Sequence, residues 1–223
     1  MSGSQPGGNA RTGTLGDPVV YVVDDDESMR FALTGLLRSI GLRVEAFEST
    51  EQFLAFHRPT APSCLVLDVR LRGESGLAFQ ERIDKAGLRI PIVFMTGHGD
   101  IAMTVKAMKA GAVDFLAKPF RDQDMLDAVT SALARDGERL AAEQSSAGLR
   151  QAYAGLTARE REVMGFVVGG LMNKQIAAEL NLSEVTVKVH RGQLMRKLSA
   201  RSVADLVRKA EALGIAPQLR SPF

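Results

Sequence analysis

The sequence predicts an α/β fold, a doubly wound parallel sheet, followed by a linker and an all-α module. Three observations carry this. Short apolar runs recur between Val19 and Ala117, segments of helical period lie between them, and from Leu156 onward only the helical period remains.

The first 18 residues are rich in Gly, Ser and Pro and read as a flexible tail with no role in the fold. Val19-Val20-Tyr21-Val22-Val23 is a continuous apolar run, as expected for a strand buried on both faces. Met29, Leu33, Leu36, Leu37 and Ile40 follow at i, i+4, i+7, i+8 and i+11, one face of a helix that Gly41 can terminate. A weaker strand is expected over 43–47, and further strands at 64–67, 90–95 and 112–117. Ile101, Val105 and Met108 mark a helix ending before Gly111. Five strands joined by right-handed helical crossovers make a doubly wound sheet. Residues 121–154 are helical in composition but weakly amphipathic. A last sheet helix is placed up to about Ala134, where Gly137 and Ser145-Ser146-Ala147-Gly148 then interrupt a partly helical linker. Thr157-Ala158-Arg159-Glu160 has capping-box form and opens a helix that Gly169-Gly170 ends. Asn173 is read as the cap of a second helix through Leu180, Asn181-Leu182 as a tight turn, Ser183 as the cap of a third helix and Ser202 of a fourth. Two helices joined by so short a turn form a helix-turn-helix. The resulting organisation is a tail (1–18), an α/β domain (19–134), a linker (135–155), a helical domain (156–215) and a C-terminal tail (216–223).

At 223 residues and 45% hydrophobic content, wholesale disorder is excluded. No apolar run approaches the roughly 20 residues of a membrane span, and the N-terminus lacks the apolar segment of a secretory signal. One cysteine, Cys64, excludes an internal disulfide framework, and with three scattered histidines it leaves no zinc-type cluster. A cytoplasmic protein is the expectation. Charge is uneven: residues 1–149 hold 16 Lys+Arg against 20 Asp+Glu, a net of −4, whereas 150–223 hold 12 against 6, a net of +6. The basic part suits a polyanion partner.

In an open parallel sheet, ligands bind beyond the carboxyl ends of the strands. There the first strand ends in Asp24-Asp25, the third in Asp68, the fourth in Thr96 and the fifth in Lys118-Pro119. Converging carboxylates repel one another unless a cation sits among them, and an all-oxygen set suits Mg2+. Asp68 is the candidate nucleophile, since aspartate can form an acyl phosphate. A lysine and a threonine hydroxyl would hold the phosphoryl oxygens. Each residue alone has a plainer reading, such as Asp24-Asp25-Asp26 capping the next helix; the joint placement at four strand ends favours the site.

These residues carry a resemblance. Val23-Asp24-Asp25, Leu67-Asp68, Met95-Thr96-Gly97-His98-Gly99-Asp100 and Lys118-Pro119-Phe120 resemble, in order and spacing, the receiver domain of bacterial two-component response regulators over about 19–134. The resemblance implies a flavodoxin-like strand order 2-1-3-4-5 and Asp68 as phospho-acceptor. It implies an acid pocket of Asp24 and Asp25, with Mg2+ held by Asp25, Asp68 and the main-chain carbonyl of Arg70. Thr96 and Phe115 fall at the switch positions, Lys118 pairs with phosphoryl oxygens, and Lys118-Pro119 is expected to be cis. One departure concerns the acceptor loop: most relatives read Met-Pro-Gly where this chain has Leu71-Arg72-Gly73, so Arg72 replaces a rigid proline. A hydrolase of haloacid dehalogenase type would want an acid two residues after the nucleophile, and position 70 is Arg.

In the basic module, Val187, Leu194 and Leu198 share a face expected to pack on Ile176, Ala177 and Leu180. Val185, Lys188, Val189, Gly192 and Arg196 lie opposite, a pattern suited to the major groove. The segments 156–163, 173–177 and 186–190 resemble the LuxR-type helix-turn-helix over about 156–213. By that resemblance Lys188, Val189 and Gly192 face base edges, while Lys174, Thr186, His190, Arg191, Arg196 and Lys197 hold phosphates or steer. His190 is equally readable as a half-buried structural histidine. The whole chain thus resembles a NarL/FixJ-type response regulator, FixJ-like and similar to regulators of aromatic (styrene) catabolism. That implies a sensor histidine kinase, double-stranded promoter DNA and RNA polymerase as partners, Mg2+ as cofactor, homodimerisation on activation, no membrane contact and no turnover catalysis. The open alternatives are a constitutive DNA binder with a vestigial receiver and an aspartyl-phosphate hydrolase with a basic accessory module.

Overall fold

A computed structural model describes residues 15–97 and 101–218, in two compact units that divide between Ala141 and Ala142. The expected tail over 1–14, the His98-Gly99-Asp100 part of the receiver-like motif and residues 219–223 lie outside the described residues.

The first unit is an all-parallel sheet of β1 (Val19–Val23), β2 (Arg43–Phe47), β3 (Ser63–Asp68), β4 (Ile92–Thr96) and β5 (Asp114–Ala117), in the order β2-β1-β3-β4-β5. Around it lie α1 (Glu27–Ser39), α2 (Thr50–Ala55), α3 (Gly76–Lys85), α4 (Ile101–Lys109) and α5 (Asp122–Ala154). The period-2 alternation of strands divides the core in two. Val20, Val22, Cys64, Val66, Val93 and Met95 face α1 and α5, meeting Leu33, Leu37, Met125 and Val129. Tyr21, Val23, Leu65, Leu67 and Phe94 face the other side, meeting Phe53, Phe79, Ile83 and Ala107. Apart from Ser63 at the start of β3, the central strands are buried along their length, which is why their apolar runs are unbroken. The edge strand β2 buries only Val44 fully, and it carries an Arg43–Glu45 ion pair. Cys64 is fully buried in β3, and burial pushes its thiol pKa up, so it packs as a small hydrophobe.

Three local expectations are corrected. Ile40 is 49% exposed: α1 ends at Ser39, and Gly41 at φ 82° turns the chain before Ile40 can join the buried stripe of Leu33 and Leu37. The break near Ala134 does not occur, because α5 is one 33-residue helix through Gly137 and Ser145-Ser146. A lone helical glycine costs only about 1 kcal/mol, and here the neighbouring Asp136 is tied down. Its buried carboxylate accepts from the Ser63 amide at 2.9 Å and from Arg139 Nη2 at 2.8 Å. Asn173 is not a cap: Met172 holds that position, its amide donating to Gln175 Oε1 at 2.8 Å, while Asn173 Oδ1 accepts from Arg191 Nη1 at 2.9 Å.

The second unit holds α6 (Ala158–Val168), α7 (Asn173–Leu180), α8 (Glu184–Lys197) and α9 (Val203–Ala212) around a core that includes Val163, Met164, Ile176, Val187, Leu194 and Leu206. Asn181, left-handed at φ 52°, makes the turn into α8, and the Ser183 and Ser202 side chains cap α8 and α9. Among the described residues, no helix is long and apolar enough to cross a membrane.

Candidate phospho-acceptor site and nucleic-acid interface

Parallel strands that end together bring their last residues together. Asp24 follows β1, Asp68 ends β3, Thr96 ends β4, and Lys118 follows β5. Lys118 Nζ donates to Asp24 Oδ2 at 2.8 Å and to Asp68 Oδ2 at 2.7 Å. The remaining oxygens are held by backbone: Asp24 Oδ1 accepts from the Asp26 amide and Asp68 Oδ1 from the Arg70 amide, each at 2.9 Å. The Lys118-Pro119 peptide is cis. Thr96 is fully buried, and its carbonyl accepts from the Lys118 amide at 2.7 Å. Phe115 is half-buried and packs on Phe94, ring centroids 6.2 Å apart. Asp26, as the plainer reading of the acidic triplet has it, caps α1 through the Ser28 amide at 2.8 Å.

Burial of Asp24 disfavours its charge. Lys118 and the Asp26 amide work against that, and repulsion from Asp68 adds to it; the net is a carboxyl pKa above the usual aspartate range. Burial disfavours the Lys118 cation too, but its hydrogen bonds to Asp24 and Asp68 outweigh this and raise its pKa. Asp24, Asp25 and Asp68 each offer an oxygen, and these lie within 4.8 Å of one another. A hard divalent cation fits such a donor set. Asp68 is buried but keeps 7% exposure, whereas Asp24 has none.

Two residues at this site were not singled out for it by their sequence. Gly76 opens α3, and its amide donates to Val69 O at 2.9 Å. A Cβ there would lie 2.5 Å from the carbonyl oxygen of Asp68, so a glycine is required for α3 to return this close to the acceptor. Arg72, noted only as a missing proline, places Nε 3.0 Å from Asp25 Oδ2. The main-chain bridge between Arg70 and Ser75 closes that loop.

On α8, Val187 and Leu194 are buried, whereas Val185 (71%) and Val189 (52%) are exposed, as are Lys188, Gly192 and Arg196. Nothing stands within 4 Å of a Cβ built on Gly192. Lys174 is exposed on α7, and Thr186 is half-buried with its hydroxyl 2.8 Å from that of Ser183. Of the remaining three expected contacts, Arg191 and Lys197 are engaged internally. Arg191 bonds Asn173, and His190 is half-buried with Nδ1 lacking a hydrogen-bond partner. Lys197 Nζ lies 2.7 Å from Oε2 of the buried Glu160. Glu160 also accepts from the Thr157 amide at 2.7 Å, completing the capping box of α6. Lys209, not anticipated, donates to the carbonyls of Leu198 and Ser199 at 2.8 Å each and so closes the C-terminal end of α8.

Comparison with known proteins separates the same two parts. Residues 20–130 match the family model for the response regulator receiver domain, and residues 154–210 that for bacterial regulatory proteins of the luxR family. Nodulation protein W of Bradyrhizobium diazoefficiens is 56% identical over 197 residues, 88% of this chain and 87% of that protein. The response regulator protein TodT of Pseudomonas putida is 48% identical over 200 residues, 87% and 86% of the two chains. Among solved structures, that of the response regulator StyR covers 88% of this chain and 99% of its own, at 50% identity and a TM-score of 0.80.

Proposed function

Because the chain belongs to the two-component response regulators that join a receiver domain to a LuxR-type DNA-binding domain, we propose that it is a promoter-binding transcription regulator switched by phosphorylation of Asp68. The observation that carries this reading is Lys118 shared between two buried carboxylates at the strand ends. The receiver is taken as 19–134, the linker as 135–155 and the DNA-binding domain as 156–215.

In this reading a partner histidine kinase supplies the phosphoryl group. An oxygen of Asp68 attacks the phosphorus, the bond from phosphorus to the kinase histidine breaks, and an acyl phosphate remains on Asp68. Asp25, Asp68 and the Arg70 carbonyl would hold Mg2+, with Asp24 beside them, and the ion's contribution is to offset the charge of the incoming phosphoryl oxygens. Lys118, already on Asp68, pairs with those oxygens as they arrive, and the Thr96 hydroxyl turns to another. Withdrawal of Thr96 leaves room for the Phe115 ring to pack inward. Phosphorylation favours whichever arrangement its charge stabilises more. The arrangement with α4 and β5 displaced is the one that dimerises and places two recognition helices on half-sites about one DNA turn apart. Lys188, Val189 and Gly192 read bases; Lys174, Thr186, His190, Arg191, Arg196 and Lys197 set register and affinity. The chain takes and loses a phosphoryl group but turns over no substrate, and RNA polymerase is the machinery it acts on, in the cytoplasm.

The test combines acetyl phosphate and Mg2+ with intact mass, sedimentation and operator binding. The expected result is a single phosphoryl adduct, absent in Asp68→Asn, with a shift from monomer to dimer and tighter DNA binding. No adduct, together with equally tight operator binding, overturns the switch. Turnover of a phosphomonoester in excess over protein overturns the non-catalytic reading.

A further inference from the structure

The carboxylate site is contacted by two different cations. Lys118 serves Asp24 and Asp68 from β5. Asp25 is met separately, by Arg72 from the loop after β3, with Nε 3.0 Å from Oδ2. The two side chains differ in exposure: that of Arg72 is 83% exposed and that of Asp25 only 23%. The guanidinium therefore lies toward solvent from the carboxylate it pairs with. The depression around it is lined by Asp25, Asp26, Glu27, Glu48, Arg30 and Arg72, so carboxylates predominate there and Arg72 offsets part of their charge.

We infer that Arg72 competes with the divalent cation for Asp25 and thereby sets the Mg2+ concentration at which the receiver is ready to be phosphorylated. The inference rests on the reading of Asp24, Asp25 and Asp68 as the Mg2+ site. Mg2+ ordinarily keeps several waters and takes one or two carboxylates. Losing first call on Asp25 therefore weakens its hold without abolishing it. An exposed ion pair is weak, so its removal tightens Mg2+ binding by only about two- to five-fold. Because the competitor is a charge near the surface, the difference shrinks as salt rises.

The experiment is a calorimetric titration of MgCl2 into the full chain, wild type beside Arg72→Gln and Arg72→Lys, at low and high KCl. The Arg72 Nε–H resonance of the wild-type protein is followed during the same titration, which needs no variant. The expected results are tighter binding in Arg72→Gln, an intermediate affinity in Arg72→Lys, convergence at high KCl, and an Arg72 signal that moves in step with Mg2+ occupancy. Equal or weaker Mg2+ binding in Arg72→Gln, or an Arg72 signal indifferent to Mg2+, overturns the competition while leaving the metal site standing. Absence of Mg2+ binding in every form overturns the site itself, and the competition with it.

Discussion

Lys197→Met should destabilise the second unit although the residue sits at the end of a surface helix. Its Nζ lies 2.7 Å from Oε2 of Glu160, whose side chain is 1% exposed. Breaking a fully buried pair from one side costs about 3–5 kcal/mol. The Lys197 side chain is 36% exposed, so part of the pair is already screened and about 2–3 kcal/mol is the expected loss. Glu160→Gln keeps an acceptor for the Thr157 amide but loses charge assistance in two hydrogen bonds, about 2 kcal/mol. The double variant should lose less than the sum of the single losses by about 1 kcal/mol or more, since a neutral amide no longer needs the ammonium. Burial raises the Glu160 pKa, but the Lys197 ammonium and the Thr157 amide outweigh it and hold the carboxyl below the usual glutamate range. A depressed carboxyl stabilises the fold above its unfolded pKa, about 4.3, and that stabilisation is lost as pH falls through the folded value. Native-state hydrogen exchange at α6 and α8 of the full chain reads these energies locally. The control is Arg159→Gln, which removes the exposed pair with Glu162 and should cost under about 0.5 kcal/mol. A coupling below about 0.5 kcal/mol at neutral pH, or one undiminished at pH 3, would refute the argument.

Three further outcomes are expected. Gly76→Ala must move the loop or the Asp68 carbonyl, costing about 1–3 kcal/mol and slowing acetyl phosphate labelling; unchanged labelling and unchanged thermal unfolding would show that α3 can retreat freely. Phe53→Ala removes a fully buried ring in edge contact with Tyr21, Phe47 and Phe79 at 5.4, 5.8 and 6.0 Å; a loss of about 3–5 kcal/mol is expected in a urea melt, and under 1 kcal/mol would mean that the cluster collapses onto the gap. Lys188→Ala should lose about 1–3 kcal/mol of discrimination between operator and scrambled DNA, whereas Lys174→Ala should weaken both alike and flatten the salt dependence; the reverse pattern in a binding assay would exchange their roles.

The sheet was legible because its central strands are buried on both faces, so that Val19–Val23 and the β3 and β4 runs are apolar without interruption. The strand-end residues followed, because topology alone carries Asp24, Asp68, Thr96 and Lys118 to one end. What stayed hidden depends on three-dimensional approach. Gly76 looks like any loop glycine until the Asp68 carbonyl is seen above it. Asn173 satisfies a capping pattern, yet its side chain is claimed by Arg191, eighteen positions away. Glu160 and Lys197 each fit a local role, cap and phosphate contact, and only the folded unit shows them to be one pair. A break in α5 near Ala134 is what the sequence suggests, because helix propensity weighs the following Gly137 by itself, without the Asp136 anchor beside it.

That anchor determines where the chain can be cut. Asp136 grips the amide of Ser63, the first residue of β3, while Asp68 ends the same strand. Arg139 in turn holds Asp136. A receiver fragment ending at 134, or at the 130 where the family similarity stops, would leave the foot of the acceptor strand unpinned and its amide without this partner. Exchange of output domains between relatives should therefore preserve residues through Arg139 with the receiver, and joints placed upstream of Asp136 should yield hybrids that fold poorly whichever DNA-binding domain they carry.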